Sequence, residues 1–237
     1  TILDAEGLCF NVFVSAYSKK WMLYNTTLQN AKKGVDLSRS NNYDISSVII
    51  RNIDNTGIDP SAINGSHATG ENRISNTLIN GVTSRDRATP LYFLSYSGSL
   101  FIDNVDISDC SAPLLPTITI SAVDECDVIL DGCEVHHNRS SSSDVFGFNT
   151  LFQISPSMPY ATRLGIEIKN SAFYDNYQAT SNVMGMARSL NDTLFISNCT
   201  FAGNSGGSAV IAVQGTNVLT NNIFYNPDIT TQILIPN

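Results

Sequence analysis

Apolar residues recur along this chain in short alternating runs with no helical spacing, which predicts strands throughout. The runs also repeat. Ile196-Ser-Asn-Cys-Thr-Phe201, Ile168-Lys-Asn-Ser-Ala-Phe173, Ile102-Asp-Asn-Val-Asp-Ile107 and Leu130-Asp-Gly-Cys-Glu-Val135 superimpose on one template: apolar, any, Asn, small, any, apolar. Segments starting at Leu23, Ile45, Ile74 and Leu219 fit it too, which makes eight copies. The first and sixth columns are apolar in every copy, ending on Phe173, Phe201 and Phe224 in the sixth. Copies start 22, 29, 28, 28, 38, 28 and 23 residues apart, too irregular for a leucine-rich or ankyrin array but natural for stacked coils whose loops differ in length.

A further strand follows in most copies: Leu91 to Tyr96, Thr117 to Ser121, Leu151 to Ile154, Val183 to Ala187 and Ala209 to Val213. Each coil then supplies three strand segments that pair in parallel with the next coil at about 4.8 Å, giving a rod roughly 40 Å long. The third column reads Asn25, Ser47, Asn76, Asn104, Gly132, Asn170, Asn198 and Asn221, so one tight turn recurs on every coil. Its stacked amides can donate and accept along the axis as an asparagine ladder. The predicted fold is all-β, a right-handed parallel β-helix or solenoid of about eight coils with extruded loops, forming one domain over residues 1–237. An extruded loop is expected in the 38-residue interval, marked by Ser140-Ser-Ser-Ser143 and Ser155-Pro-Ser-Met-Pro159, and a second from Asp59 to Asn72.

With these motifs in view, the chain resembles the right-handed β-helix repeat families of the pectate-lyase-like superfold. Within them its repeats are similar to those of polymorphic outer membrane proteins, marked by Phe-x-x-Asn and by Gly-Gly-Ala followed by an aliphatic residue. Phe173-Tyr-Asp-Asn176 and Phe201-Ala-Gly-Asn204 match the first motif, Val135-His-His-Asn138 nearly does, and Gly206-Gly-Ser-Ala-Val210 carries the second with one inserted Ser. The resemblance implies a passenger or stalk on a cell surface, often adhesive.

Composition narrows the partners. Only 14% of residues are charged and the formal net charge is −8, so nucleic acid and anionic membrane surfaces are repelled at long range, and no run is long and apolar enough to cross a bilayer. A cell-surface or extracellular polymer, polysaccharide foremost, fits better, with a secreted or cell-surface location. Thr1 opens directly into Thr1-Ile-Leu3, which reads as a processed chain or part of a longer one, with end-to-end packing on another segment or subunit expected at the uncovered coils. Five cysteines lack any C-x-x-C arrangement, and Cys133 and Cys199 share a column two coils apart, about 9.6 Å, beyond disulfide reach.

The superfold hosts lyases and glycosidases, so chemistry must be sought residue by residue. The polygalacturonase-like set of Asn-Thr-Asp, paired Asp, Gly-His-Gly and Arg-Ile-Lys is absent, as is the calcium-binding signature of the lyases. One constellation survives alignment. Asp103 falls beside Asp131, Asp106 beside Glu134, and Asp109, His137 and Asp175 stack on three successive coils, all expected to point outward on one face. Asp103, Asp106, Asp131, Glu134 and His137 are the catalytic candidates for acid/base work on a glycosidic bond. Asp109, His137 and Asp175 are candidates for binding, and Asp103 with Asp131 for Ca²⁺, the only cofactor the pattern suggests. A solvated acidic face explains the same residues. His67 and His136 read as solvated, Trp21 and Tyr92 to Tyr96 as core filler or a sugar platform. Of the sequons, Asn64, Asn138 and Asn191 are expected to have room for a glycan, while Asn25 and Asn198 are expected to be tied into the ladder. The leading expectation is a non-enzymatic surface module, adhesive or scaffolding. A glycoside hydrolase, polysaccharide lyase or sugar-binding module on the acidic face is the alternative.

Overall fold

The computed structural model describes residues 1–6, 13–14, 21–55, 61–84, 89–112, 117–140, 150–156, 163–179, 182–186, 193–213 and 216–235. Its strands pair in parallel, each with the equivalent strand of the next repeat, and the chain winds through three sheets. The first sheet runs from Trp21–Tyr24 and Tyr43–Ser46 through to Leu164–Lys169, Thr193–Ser197 and Thr216–Thr220. The second runs from Ile2–Asp4, Thr27–Ala31 and Ile49–Asn55 to Glu134–His136, Ala172–Tyr174, Thr200–Ala202 and Ile223–Tyr225. The third contains Val35–Asp36, Ser61–Asn64, Thr150–Pro156, Asn182–Met186, Ala209–Val213 and Thr231–Leu234. Three long strands, Glu71–Ser84, Thr89–Ser108 and Ile118–Asp131, pass from one sheet into another without a break.

The register is the one the template predicts. Leu23, Ile45, Ile74, Ile102, Leu130, Ile168, Ile196 and Leu219 are successive partners. Ile102, Leu130, Ile168 and Ile196 are buried. A slip of one residue would have turned every such side chain to solvent. In the sixth column Phe173, Phe201 and Phe224 stack face to face with centroids 5.0 Å apart.

The third-column asparagines stand at the expected tight turn, and the backbone there explains the choice of residue. All eight residues of that column adopt positive φ, between 49° and 62°, where the chain turns from the first sheet into the second. An ordinary L-residue is destabilised there by about 1–2 kcal/mol, and Gly and Asn are the residues that visit the region most readily. Their side chains point outward and the amide ladder is partial. Asn104 donates to Asn76 at 2.8 Å and Asn198 to Asn170 at 3.4 Å, while Asn170 donates to Asp131 at 2.8 Å because Gly132 has no amide to offer. A second left-handed corner lies two residues past the sixth column, at Asn30, Asn52, Gly81, Asp109, His137, Asp175 and Gly203.

The buried ladder lies one residue beyond that second corner, except at its last rung, Asn226, which follows Phe224 by two residues. Asn138, Asn176, Asn204 and Asn226 are all buried. The Oδ1 of Asn176 accepts from the backbone N–H and the side-chain amide of Asn138, both at 3.1 Å, and its Nδ2 donates to Val135 O at 2.8 Å and to Asn204 Oδ1 at 3.0 Å. Asn204 repeats the pattern onto Asn226, whose amide ends on Gln232. Phe-x-x-Asn is therefore a packing rule, with the Phe in the core stack and the Asn in the ladder. The Gly-Gly pair is structural too: Gly206 and Gly207 have φ of +71° and +69°, and a Cβ on Gly206 would lie 2.1 Å from Gln178 O.

Three expectations change. The interval from Asp59 to Asn72 is no open loop, since Ser61–Asn64 is a strand of the third sheet and Glu71 begins another; Asp59 and Pro60 lie outside the described residues. Ser155 and Pro156, read as part of an extruded loop, belong to a strand paired with Ser121 and Ala122, and residues 141–149 and 157–159 are outside the described set. Asn138 has no room for a glycan because its amide is buried and bonded to Ile107 O and Asn176, and the Asn64 amide is bonded to Asp36 and Ser38, whereas Asn25 and Asn198 are exposed at corners. Asn191 is outside the described residues.

The two asparagine columns should respond differently to mutation. Asn176→Ala strands several buried donors and acceptors, and chemical denaturation should register a loss of about 3 kcal/mol or more. Asn198→Ala should lose about 1 kcal/mol, from the positive φ alone, and Asn198→Gly less than that.

Candidate functional site

The corner between the first and second sheets separates the candidate carboxylates, so they do not share one face. Asp103 and Asp131 are register partners on the outside of the first sheet. Asp106 and Glu134 are partners on the second. Asp109, His137 and Asp175 stand on the second left-handed corner, where φ is 53–54°. Their common feature is tolerance of that backbone: the same column holds Asn30, Asn52, Gly81 and Gly203.

On the first sheet the Asp131 carboxylate is already served. Lys169 Nζ lies 3.6 Å from Asp131 and 3.2 Å from Glu167, and the Asn170 amide donates to Asp131 at 2.8 Å. The hydrogen bond to Glu167, then the nearby carboxylate charges, hold the Lys169 ammonium above its ordinary pKa. Arg73 joins Asp103, Asp131 and Lys169 around a shallow depression floored by Phe101 and Ile129. Two cations thus stand where calcium was expected, and among the described residues no group of three or more His, Cys, Asp or Glu is arranged to hold a metal ion.

On the other side of the corner lies an open groove of about 370 Å³ lined by Asn76, Thr77, Leu78, Asn104, Val105, Asp106, Gly132 and Glu134. Gly132 shapes it. Where neighbouring coils raise an asparagine side chain as a ridge, Gly132 leaves a notch, and a Cβ placed on it would come no closer than 4.0 Å to Asn104 N. Gly132 also carries φ +62°, so the backbone alone would accept an Asn as its neighbours do.

Beyond the groove wall a cluster forms that the sequence reading divided wrongly. His136, expected to be solvated, is its hub, with a side chain only 15% exposed. Its ring lies flat on Tyr174, with centroids 4.6 Å apart and planes 4° from parallel. Its Nε2 is 3.2 Å from Asp106 Oδ1, and its Nδ1 is 2.8 Å from His137 Nδ1. His137 Nε2 in turn faces Asp175 Oδ2 at 3.7 Å. Tyr174 donates to Glu134 at 3.1 Å, and burial first, then that bond and the surrounding carboxylates, push its phenol pKa up. Asp109 accepts from Asn80 at 2.9 Å. His136 and Tyr174 share the seventh column, adjacent to the carboxylates of the fifth across the buried sixth, and that alternation was the signal available to find them.

Other candidates fall away. Phe93 and Tyr96 are core residues in an edge-to-face contact at 5.9 Å, Trp21 packs against the core, and His67 is an exposed corner residue with φ 58°. Cys110, Cys126, Cys133 and Cys199 are free and buried.

A family model described as a right-handed beta helix region matches residues 11–230. No curated protein and no solved structure matches the chain.

Burial pushes the thiol pKa of Cys110 and Cys126 up to about 12 and that of Cys133 to about 11. A thiol reagent at pH 8 should therefore leave these three unmodified in the folded protein and react with them promptly in denaturant, as read by mass spectrometry of the labelled peptides.

Proposed function

The chain belongs to the right-handed β-helix family, and on that premise we propose a non-enzymatic extracellular or cell-surface module that grips a polysaccharide across the corner at Gly132. The family's fold is found in pectate lyases, glycosidases and adhesins, so the choice rests on the site. The observation that carries the reading is the notch. A polymer crossing there meets the Asn76 and Asn104 amides, which can both donate and accept, and the Asp106 and Glu134 carboxylates, which accept from hydroxyls. Half-buried Leu78 gives the apolar C–H face of a sugar something to rest on. With a net charge of −8, an uncharged polymer suits this surface better than a polyanion.

Binding without cleavage is favoured by the setting of the carboxylates. A general acid for glycosidic cleavage must be kept protonated, usually by an apolar enclosure. Asp106 and Glu134 instead line an open groove, the first beside His136 and the second bonded to Tyr174. One observation favours the carbohydrate-active alternative: Asp106 and Glu134 are register partners on adjacent strands, at a spacing of about 4.8 Å, close to the ~5–5.5 Å of retaining glycosidases.

A glycan array and a polysaccharide depolymerisation screen on the intact chain separate these readings. Binding to a neutral glycan without cleavage, weakened tenfold or more by the notch-filling Gly132→Asn at unchanged melting temperature, is the expected result. Cleavage abolished by Asp106→Asn or Glu134→Gln would establish the enzymatic reading, and no glycan binding at all would refute both.

A further inference from the structure

We propose that Asn25 and Asn198 are acceptors for N-linked oligosaccharide, two modification sites on one ridge at either end of the Gly132 groove. Each opens an Asn-x-Thr sequence, Asn25-Thr26-Thr27 and Asn198-Cys199-Thr200. The fold separates them from the other acceptor sequences among the described residues. Asn138 is buried in the amide ladder, and the Asn64 amide is bonded to Asp36 and Ser38. Asn25 and Asn198 instead are exposed members of the outward third column. Asn25 is followed in that column by Ser47, which has no amide to bond with it. Asn198 makes one long contact, 3.4 Å to Asn170, and the N–H left after glycosylation can keep it.

The fold does not require the threonines. Thr27 and Thr200 stand in the fifth column, whose other members are Ile49, Leu78, Asp106, Glu134, Ala172 and Ile223. An outward position that takes apolar, acidic and small residues alike does not select Thr. Both copies that have Thr there also have Asn in the third column, and that pairing is what an oligosaccharide acceptor needs.

The surroundings supply an independent reason. Exposed large apolar side chains gather at the same two places: Met22, Tyr24 and Ile49 around Asn25, and Phe195, Val218 and Ile223 around Asn198. Register puts them there, since Thr27 pairs with Ile49, Thr200 with Ile223 and Phe195 with Val218. In the same columns between the two places, Leu78, Phe101 and Ile129 are half-buried. Contiguous apolar surface in water favours association, and a bulky hydrophilic chain anchored within it opposes that. The third column runs Asn25, Ser47, Asn76, Asn104, Gly132, Asn170, Asn198, so each acceptor is two coils, about 9.6 Å, from the nearest residue of that column lining the groove. The notch between them stays open.

The proposal rests on the extracellular reading, because the transfer acts on chains entering a secretory compartment. There the Asn Nδ2 bonds to the anomeric carbon of an oligosaccharide carried on a lipid diphosphate. That carbon's bond to the diphosphate oxygen breaks, the lipid diphosphate leaves with the bonding pair, and one amide proton is lost.

The intact chain, secreted from a eukaryotic cell line behind a signal sequence, can be treated with peptide N-glycosidase in heavy-oxygen water and mapped by mass spectrometry. Asn25 and Asn198 should appear as labelled Asp and Asn138 should not. Thr27→Val and Thr200→Val should each lose one oligosaccharide at unchanged melting temperature, since Val suits an outward strand position. The same chain made in a host without the transferase should bind a hydrophobic dye about twofold more strongly, and equal dye binding would refute the covering role. Bare Asn25 and Asn198 in the secreted protein, or sugar on Asn138 in its folded form, would overturn the proposal. The groove is judged apart, on the sugar-free chain. If that chain binds a neutral glycan while the secreted one has bare asparagines, only this proposal fails; decorated asparagines on a chain that binds no glycan refute only the groove.

Discussion

Everything in this molecule depends on turning a chain sharply enough to lay one strand directly above the last. Two corners per coil do this with a single residue in the left-handed region, and few side chains tolerate it. The residue types at Asn25 through Asn221, and at Asn30 through Gly203, follow from that constraint. Once the corners are fixed the register is fixed, and with it the stacks of isoleucine, leucine and phenylalanine that fill the interior. The corners also shape the groove at Gly132, because what stands outside them is whatever survived a backbone filter first.

This explains which parts of the fold were legible in the sequence. The columns through Ile102, Leu130, Ile168 and Ile196 were readable because period-two alternation and burial carry the same information. The positions of Asn76 and Asn170 and the turn they make were readable, but how far their amides form a ladder was not: an asparagine kept for its φ and one kept for its hydrogen bonds look alike in a string of letters. Asn138, Asn176 and Asn204 show the other case, and their burial was invisible because the third residue after an apolar column could face either way at a corner. Ser61 to Asn64 and Ser155 to Pro156 were misread as loop because Ser, Asn and Pro resemble turn residues, whereas parallel partners, on both sides for the first and on one side for the second, make them strands.

The candidate site was legible in fragments. Asp106 beside Glu134 follows directly from the alignment. The grouping of Asp103 with them did not survive, since a left-handed corner stands between. His136 was missed because a histidine in an outward column reads as solvated unless its neighbour one coil away, Tyr174, is known to cover it. Gly132 was legible only as the exception to a column, and its meaning depends on knowing that the column forms an external ridge.

The interior column that becomes the amide ladder has one more consequence. Before Cys110 it holds Ala31, Ile53 and Val82, and after Cys110 it holds Asn138, Asn176, Asn204 and Asn226. This one column therefore changes material along the rod, hydrocarbon in the first stretch and bonded amide in the second with a thiol at the joint, while the columns beside it stay apolar throughout. Apolar burial loses strength on cooling, while a stack of hydrogen bonds does not lose it in the same way. The amide half of that column is thus the part of the interior that cooling weakens least, set inside a core that is apolar from end to end.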